Sequence, residues 1–370
     1  MKNFKIKPTV VFDTTIQEYF ATLTSKSVFV VADPMMEKLG IVDQIKKSLD
    51  SRHIPVTVFS EITPDPKVET IAKGLAIMNG IQPEHLVAIG GGSAIDAAKG
   101  ILLGNYKLST DYEAPILIAI PSTSGTGSEV TSFTVITNGE EKTAFVDERL
   151  IPNIALLDVE LVKSVPVSVT IDTGMDVLTH AIEAYVSTDA NSFTDALAEK
   201  AVQMVFENLP KLYRDPNDST ARRLMHDAST MAGMAFTNAS LGINHSIAHA
   251  IGGVFHLSHG RINAVIMARV IQYNASGCQQ AAARYQRLAK LIGLPAQDAM
   301  SGVAELCLAI QVLNQEFCLP TNFREFGVEE AAFVEKADQI AYTALADACT
   351  LTNPRKPDHE SLKDLYLSMG

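Results

Sequence analysis

The chain has nine histidines, and four of them fall within the fifteen positions of His245-Ser-Ile-Ala-His249-Ala-Ile-Gly-Gly-Val-Phe-His256-Leu-Ser-His259. A solvated surface has no reason to gather imidazoles among Ile, Val, Phe and Leu, so the run reads as a metal-binding or catalytic cluster. Upstream, Asp176 and His180 stand four apart in Gly174-Met-Asp-Val-Leu-Thr-His-Ala-Ile-Glu183. On a helix both project from one face and can hold one divalent ion. That spacing also makes ordinary helical hydrogen bonds; the histidine run is what tips the reading toward a metal. On one straight helix His245 and His259 would lie about 21 Å apart, so they meet only if the chain turns, and Gly252-Gly253 is where the turn is expected. Spacing alone makes His245 with His249 as good a pair as His245 with His259, and His256 is a further candidate for support or packing. Nitrogen and oxygen donors without cysteine suit Fe(II), Zn(II), Mn(II) or Ni(II). Three histidines and one carboxylate would leave positions open for a substrate oxygen.

A second chemistry lies in the first half. The run Leu86-Val-Ala-Ile-Gly90 leads into Gly91-Gly92-Ser93 and then a helical stretch, Ala94 to Leu103. Backbone amides at such a helix start face an anion, and glycines let a pyrophosphate approach. Asp96 either caps those amides or meets the ligand. Neither a G-x-G-x-x-G nor a G-x-x-x-x-G-K-[ST] pattern is present. A second loop, Pro121-Ser-Thr-Ser-Gly-Thr-Gly-Ser128-Glu129, begins where another apolar run ends. Its hydroxyls can donate to phosphate and line a nucleotide groove. Asp33 follows the run Val28 to Ala32 and either accepts from an adenine ribose or caps the next helix. It precedes Gly90 by 57 positions, whereas the acid of a standard Rossmann unit follows its glycines by about 20. The strand order must therefore be a different one.

The elements that carry these residues divide in two. Up to about residue 160, short β-branched runs (Ser27–Ala32, Val56–Phe59, Leu86–Gly90, Ile116–Ile120, Ile154–Leu157) alternate with amphipathic stretches such as Met36–Leu49 and Lys67–Met78. Strand then helix, repeated, predicts a mostly parallel sheet. Beyond Val165-Pro166 the strand signal stops, and Asn191–Leu209, Thr220–Ala239 and Ala281–Leu291 carry helical periods. The fold expected is an α/β domain over residues 1–164 and an all-α domain over 165–370, with a cleft between them. Thirty basic against 42 acidic residues give a formal charge of −12, which offers no field for nucleic acid. Four scattered cysteines suit a reducing compartment. No apolar run is long enough for a bilayer, and Lys2 to Phe12 lacks a secretory core. A soluble cytoplasmic protein without membrane partners is expected.

Gly90-Gly-Gly-Ser-Ala-Ile-Asp96-Ala-Ala-Lys99, Pro121 to Glu129, Gly174 to Glu183 and His245 to Gly260 together resemble the iron-containing, group III alcohol dehydrogenases, whose α/β domain is shared with dehydroquinate synthases and glycerol dehydrogenases. The resemblance spans essentially the whole chain and is nearest to the propanol and ethanol dehydrogenases of bacterial microcompartments that degrade 1,2-propanediol or ethanolamine. It implies Asp176, His180, His245 and His259 as ligands of Fe(II), with Zn(II) as the alternative ion, and His249 as a reaction-site residue that is not a ligand. It further implies that Gly91, Gly92 and Ser93 hold the pyrophosphate of NAD(H), that Thr123 and Thr126 meet the nicotinamide half, that Asp33 selects against NADP(H), and that Lys142 lies near the cofactor. The activity implied is reversible reduction of a short aliphatic aldehyde, such as propanal or acetaldehyde, with His249 relaying a proton. The alternatives are a polyol or hydroxy acid dehydrogenase of the same fold, or a metal-holding interaction protein without turnover. An edge-strand alternation over Phe4–Phe12, together with family habit, predicts a homodimer.

Overall fold

The computed structural model describes residues 3–108, 113–139 and 141–370, the side chains of Glu141 and Lys142 excepted. The chain forms two compact units, one of Lys5–Val165 and one of Pro166–Gly370 joined by the N-terminal residues up to Phe4.

In the first unit the β-branched runs become strands: β1 (Thr9–Val11), β2 (Val28–Ala32), β3 (Val56–Phe59), β4 (His85–Gly90), β5 (Ile116–Pro121) and β8 (Ile154–Leu156) form a sheet of order β1-β8-β5-β4-β2-β3, all pairs parallel. Its two faces alternate along each strand. Phe29, Val31, Leu86, Ala88, Leu117 and Ala119 pack on one side, and Val28, Val30, Val87, Ile89, Ile118 and Ile120 on the other. Burial on both faces is why these runs are continuously apolar. The helix α1 (Gly92–Leu108) covers the first face. An antiparallel hairpin, β6 (Phe133–Asn138) and β7 (Glu141–Val146), turns through Gly139 at φ +63°.

Three expectations change in this unit. The stretch Met36–Leu49 is two helices, Pro34–Lys38 and Ile41–Asp50, broken where Gly40 takes φ +72°. Within Phe4–Phe12 only Thr9–Val11 joins the sheet, as a parallel edge beside β8, while Phe4 stacks on Phe193 of the helical unit with ring centroids 5.2 Å apart. The hairpin does not follow from the alternating runs at all.

The second unit is helical. Four helices matter for the site: α2 (Val167–Val186), the adjoining Ser219–Ala239 helix, α3 (Ile243–Phe255) and α4 (His259–Gly277). The turn between α3 and α4 does not fall at Gly252-Gly253. The helix runs through both glycines and stops at His256, which takes the left-handed conformation at φ +54° and donates its N–H to the Gly252 carbonyl. Glycine weakens a helix interior by about 1 kcal/mol, but the apolar stripe Ile243, Ile247 and Ile251, packed on Ile262, Ile266 and Val270, holds α3 together through it. Among the described residues no helix is long and apolar enough to cross a membrane.

Candidate active site

The two loops and Asp33 leave neighbouring strands. Gly90 pairs with Pro121 across β4 and β5, and Ala32 pairs with Ile89 across β2 and β4. The Asp33 amide donates to the Ile89 carbonyl at 2.9 Å, and the Ser122 amide to that of Gly90 at 2.9 Å. So Asp33, Gly91–Ser93 and Thr123–Thr126 all emerge at the C-terminal edge of adjacent parallel strands, where open α/β sheets bind ligands. Adjacency in the sheet accounts for an acid 57 positions upstream of the glycines. Asp33 also caps the helix Pro34–Lys38, its Oδ1 accepting from the Met35 amide at 2.7 Å, and keeps its second oxygen outside that bond.

The glycines have a structural reason beside a phosphate. A Cβ on Gly92 would lie 2.9 Å from Thr126 Cγ2, so Gly92 is what allows the hydroxyl loop to seat against the first turn of α1. At Gly91 the nearest atoms, those of Thr123, would be at 3.8 Å, ordinary contact. The first amides of α1 have no carbonyl one turn back to bond, the arrangement that lets a helix start face an anion.

Asp96 joins the two loops. Its Oδ1 accepts from Ser128 Oγ at 2.7 Å and its Oδ2 from the Val135 amide at 3.1 Å, tying α1 to the hydroxyl loop and to β6. One turn on, Lys99 is wholly buried and donates to the carbonyls of Thr131 at 2.8 Å and Phe133 at 2.9 Å. Burial pushes its ammonium down to about 8. The pair Asp96 and Lys99 thus fixes the second loop from beneath; the helical spacing of three was visible in the sequence, its partners were not. The side chain of Lys142 lies outside the described residues.

In the helical unit Asp176, His180 and His245 each bring one donor atom within 4.8 Å of the others, all buried. Asp176 is central: its Oδ2 is 3.9 Å from His180 Nε2, and its Oδ1 is 3.6 Å from His245 Nε2 and 3.5 Å from His259 Nε2. The helical pair on α2 and the turn at His256 together do this, since His245 lies in the first turn of α3 and His259 opens α4. Close approach of α4 to α2 depends on Gly260, where a Cβ would stand 2.0 Å from the Asp172 carbonyl oxygen. Asp172 also accepts from Ser258 Oγ at 2.8 Å and Arg261 Nε at 3.0 Å, clamping the start of α4.

The arrangement fits a cation. His245 donates its Nδ1 proton to Glu183 Oε2 at 2.5 Å, which turns Nε2 toward Asp176 as the atom an ion would take in place of a proton. Lone-pair atoms facing one another at 3.5–3.9 Å are spaced as ligands are around an ion with bonds of about 2.0–2.2 Å. Burial raises the Asp176 carboxyl, but His180, His259 and His245 outweigh it and hold Asp176 well below the ordinary range. The residues that steady this set do not stand out in the sequence. Glu183 accepts from the Asn244 amide at 2.7 Å as well as from His245. Asn263 donates to Asp176 Oδ1 at 2.7 Å and accepts from Asn244 Nδ2 at 2.9 Å. Its position one turn after His259 was the available signal; Glu183, 62 positions from His245, offered none.

His249 stands beside the set, its ring stacked on His259 at 5.2 Å and edge-on to His245 at 5.9 Å. Its Nδ1 donates to Asp347 Oδ2 at 2.8 Å, which leaves Nε2 as acceptor, and the side chain is 45% exposed. His256 is not among these contacts and serves the turn.

A family model for iron-containing alcohol dehydrogenase matches residues 9–159, and one for the C-terminal part of the Fe-containing alcohol dehydrogenase family matches residues 170–370. The chain is 42% identical to the 1-propanol dehydrogenase PduQ of Salmonella typhimurium over 348 residues, covering 92% of each. It is 40% identical to aldehyde-alcohol dehydrogenase 2 of Entamoeba histolytica, covering 96% of this chain and 45% of that protein, so it spans under half of that relative. Among solved structures it is similar to a 1,3-propanediol oxidoreductase (TM-score 0.92, 31% identity, the whole of both chains). A sulfoacetaldehyde reductase from Bifidobacterium kashiwanohense in complex with NAD+ is also similar (TM-score 0.87, 25% identity, 100% of this chain and 98% of that one).

Proposed function

The chain belongs to the iron-containing alcohol dehydrogenase family, and from that membership we propose that it interconverts a short aliphatic aldehyde, propanal or acetaldehyde, and its primary alcohol with NAD(H). The observation that carries the reading is one buried carboxylate facing three imidazole nitrogens at 3.5–3.9 Å without a thiol among them. Asp176, His180, His245 and His259 hold Fe(II) in this proposal, and Gly91, Gly92, Ser93, Thr123, Thr126 and Asp33 hold the dinucleotide. When bound, the ion supplies Lewis acidity toward the substrate oxygen and NADH supplies the hydride. The rest falls to the chain. Asp176 offsets half of a divalent charge; Glu183 keeps His245 in the tautomer that ligates. His249 takes or returns a proton at Nε2 and, being half-exposed, passes it to solvent. Asp96 and Lys99 act on the cofactor through the loop they support.

Anaerobic NADH oxidation with propanal on chelator-stripped protein, reconstituted with Fe(II), Zn(II) or buffer and with bound metal counted, tests the proposal. Activity restored chiefly by Fe(II) is expected. One ion bound per chain without turnover in any sample would overturn it.

Proton competition gives a second check. Burial lowers the His245 imidazole, but the Glu183 and Asp176 carboxylates outweigh burial and push it up to about 9 in the metal-free protein. Below that pH an incoming ion must displace the proton on Nε2. Affinity for Zn(II), read by competition with a chromophoric chelator, is therefore expected to rise about tenfold per pH unit from 7 to 9; a flat profile would contradict the assignment of His245.

Asp33 gives a third. A 2′-phosphate beside its carboxylate is repelled, so Asp33→Ser is expected to lower the KM for NADPH about tenfold, the equivalent of about 1.4 kcal/mol, while raising that for NADH. Unchanged preference would remove Asp33 from the cofactor site. We propose a homodimer, with the exposed edge of β1 and Phe12, 60% exposed, at its interface. Sedimentation would read the assembly. The resemblance extends the proposal to a cytoplasmic enzyme of 1,2-propanediol degradation associated with a bacterial microcompartment.

A further inference from the structure

Next to the Asp176 set a different group of donors converges. His249, Asp347 and Cys349 each offer one ligand atom within 4.8 Å of the others. Asp347 caps the short turn Ala348–Thr352, its Oδ1 accepting from the Cys349 amide at 2.8 Å. Thr350 Oγ1 donates to the Ala344 carbonyl at 2.6 Å and lies 2.8 Å from Ser246 Oγ, which pins that turn to the helix carrying His249. The three donors are thus held by backbone and helix contacts. An ion can reach them because the His249 side chain is 45% exposed.

The donor types differ from those around Asp176. One nitrogen, one carboxylate oxygen and one sulfur are a borderline-soft set, and thiolate favours Zn(II) over Fe(II). We propose that His249, Asp347 and Cys349 form a second metal site, for Zn(II) or an ion of like softness, whose occupation stops the reaction. The site stands on its own geometry; its effect on turnover rests on the proposed role of His249.

Binding there needs no electron transfer. The ion takes the place of the proton between His249 Nδ1 and Asp347 Oδ2, now 2.8 Å apart. That proton reappears on His249 Nε2, and the Cys349 thiol releases its own to solvent as the sulfur–metal bond forms. Burial and the Asp347 and Glu183 charges push this thiol up, so it stays protonated until an ion arrives. Burial raises the Asp347 carboxyl, but His249 and the Cys349 amide outweigh it and bring it to about 2, an anion throughout the working range. With Nε2 protonated and Nδ1 ligated, His249 has no lone pair left with which to accept a proton.

Co(II) distinguishes the two sites, because only a thiolate ligand gives a sulfur-to-cobalt charge-transfer band in the near ultraviolet and the Asp176 set has no sulfur. Metal-stripped protein titrated with Co(II) until both sites are filled is expected to develop that band to one sulfur–cobalt site per chain, and Cys349→Ser to lose it. Asp347→Asn, near-isosteric, gives the same comparison should Cys349→Ser not fold. Absence of the band at saturating Co(II), or its survival in Cys349→Ser through another cysteine, overturns the site. In the second arm, excess Zn(II) is expected to lower Fe(II)-supported turnover at least about tenfold with one iron per chain still bound, and to lower that of Cys349→Ser less than about twofold relative to its own zinc-free rate. Equal inhibition of both proteins overturns the effect on His249. Since the first arm reads absorbance alone, the cobalt band tests the site whether or not the aldehyde assignment holds.

Discussion

Asp176→Asn is expected to yield a folded protein that retains no iron after dialysis and has lost turnover by about a thousandfold. The substitution keeps the shape of the side chain and removes its charge. In the native cluster that charge faces three imidazole nitrogens, while the Glu183 carboxylate meets His245 from its other ring nitrogen. Asn263 and Asn244 support one of its oxygens from behind, and an amide oxygen can still accept that bond, so the helices lose little. What is lost is the electrostatic anchor for a divalent ion and with it Lewis acidity worth several kcal/mol, at 1.36 kcal/mol per factor of ten in rate. His249→Ala is the contrasting variant: iron stays at one per chain while the rate drops about 10²-fold, the lower range for a lost acid–base group. Metal counting beside kcat decides the matter. Iron retained in Asp176→Asn, or lost in His249→Ala, would reverse the roles assigned to the two residues.

Gly260→Ala is expected to damage both stability and metal retention, from a position that supplies no ligand. The new methyl would meet the Asp172 carbonyl oxygen at 2.0 Å, its carbon at 2.7 Å and Asp176 Cβ at 3.3 Å. Two of these three are backbone atoms of α2, which cannot rotate away as a side chain would. The helices α2 and α4 must part by more than 1 Å on the order of van der Waals spacing, at an overpacking cost of about 1–3 kcal/mol. Parting them moves His259 from Asp176, and a misplacement of about 1 Å can lower a rate by about 10²-fold. A reduced thermal midpoint together with faster iron loss to a chelator is the expected pair of readouts. A variant that melts lower yet keeps iron as the native protein does would show that His259 is not held by this contact.

The parallel sheet was legible because β2, β4 and β5 are buried on both faces along nearly their whole length and are therefore almost continuously apolar, a pattern that needs no partner to be recognised. The hairpin β6–β7 carried one local sign, the glycine at 139 that its turn uses at φ +63°, but its strands show no regular alternation, lie apart from the six-stranded sheet and do not share its run-and-helix rhythm. The helical metal set was half legible: four apart on one helix is a local fact, and so is a crowd of histidines. Where the second crowd turns was misplaced, because glycine propensity pointed to Gly252-Gly253 while packing of Ile247 and Ile251 carried the helix on to Phe255. Glu183, Asn244 and Asp347 gave no signal at all. Each acts through a hydrogen bond to a residue brought near by the fold, and only the backbone path says which one.

The order β1-β8-β5-β4-β2-β3 also sets a timetable for the growing chain. Strands β2 to β5 are complete by Pro121, yet the edge of β5 is covered only when β8 exists at Leu156, about 2–7 s later at ordinary rates of synthesis. β1, made first, finds its partner last: Val11 must wait for Leu156, about 7–29 s at the same rates. During the shorter interval, between Pro121 and Leu156, a nascent sheet has the apolar edge of β5 open, and that edge is where a chaperone of unfolded chains is expected to bind.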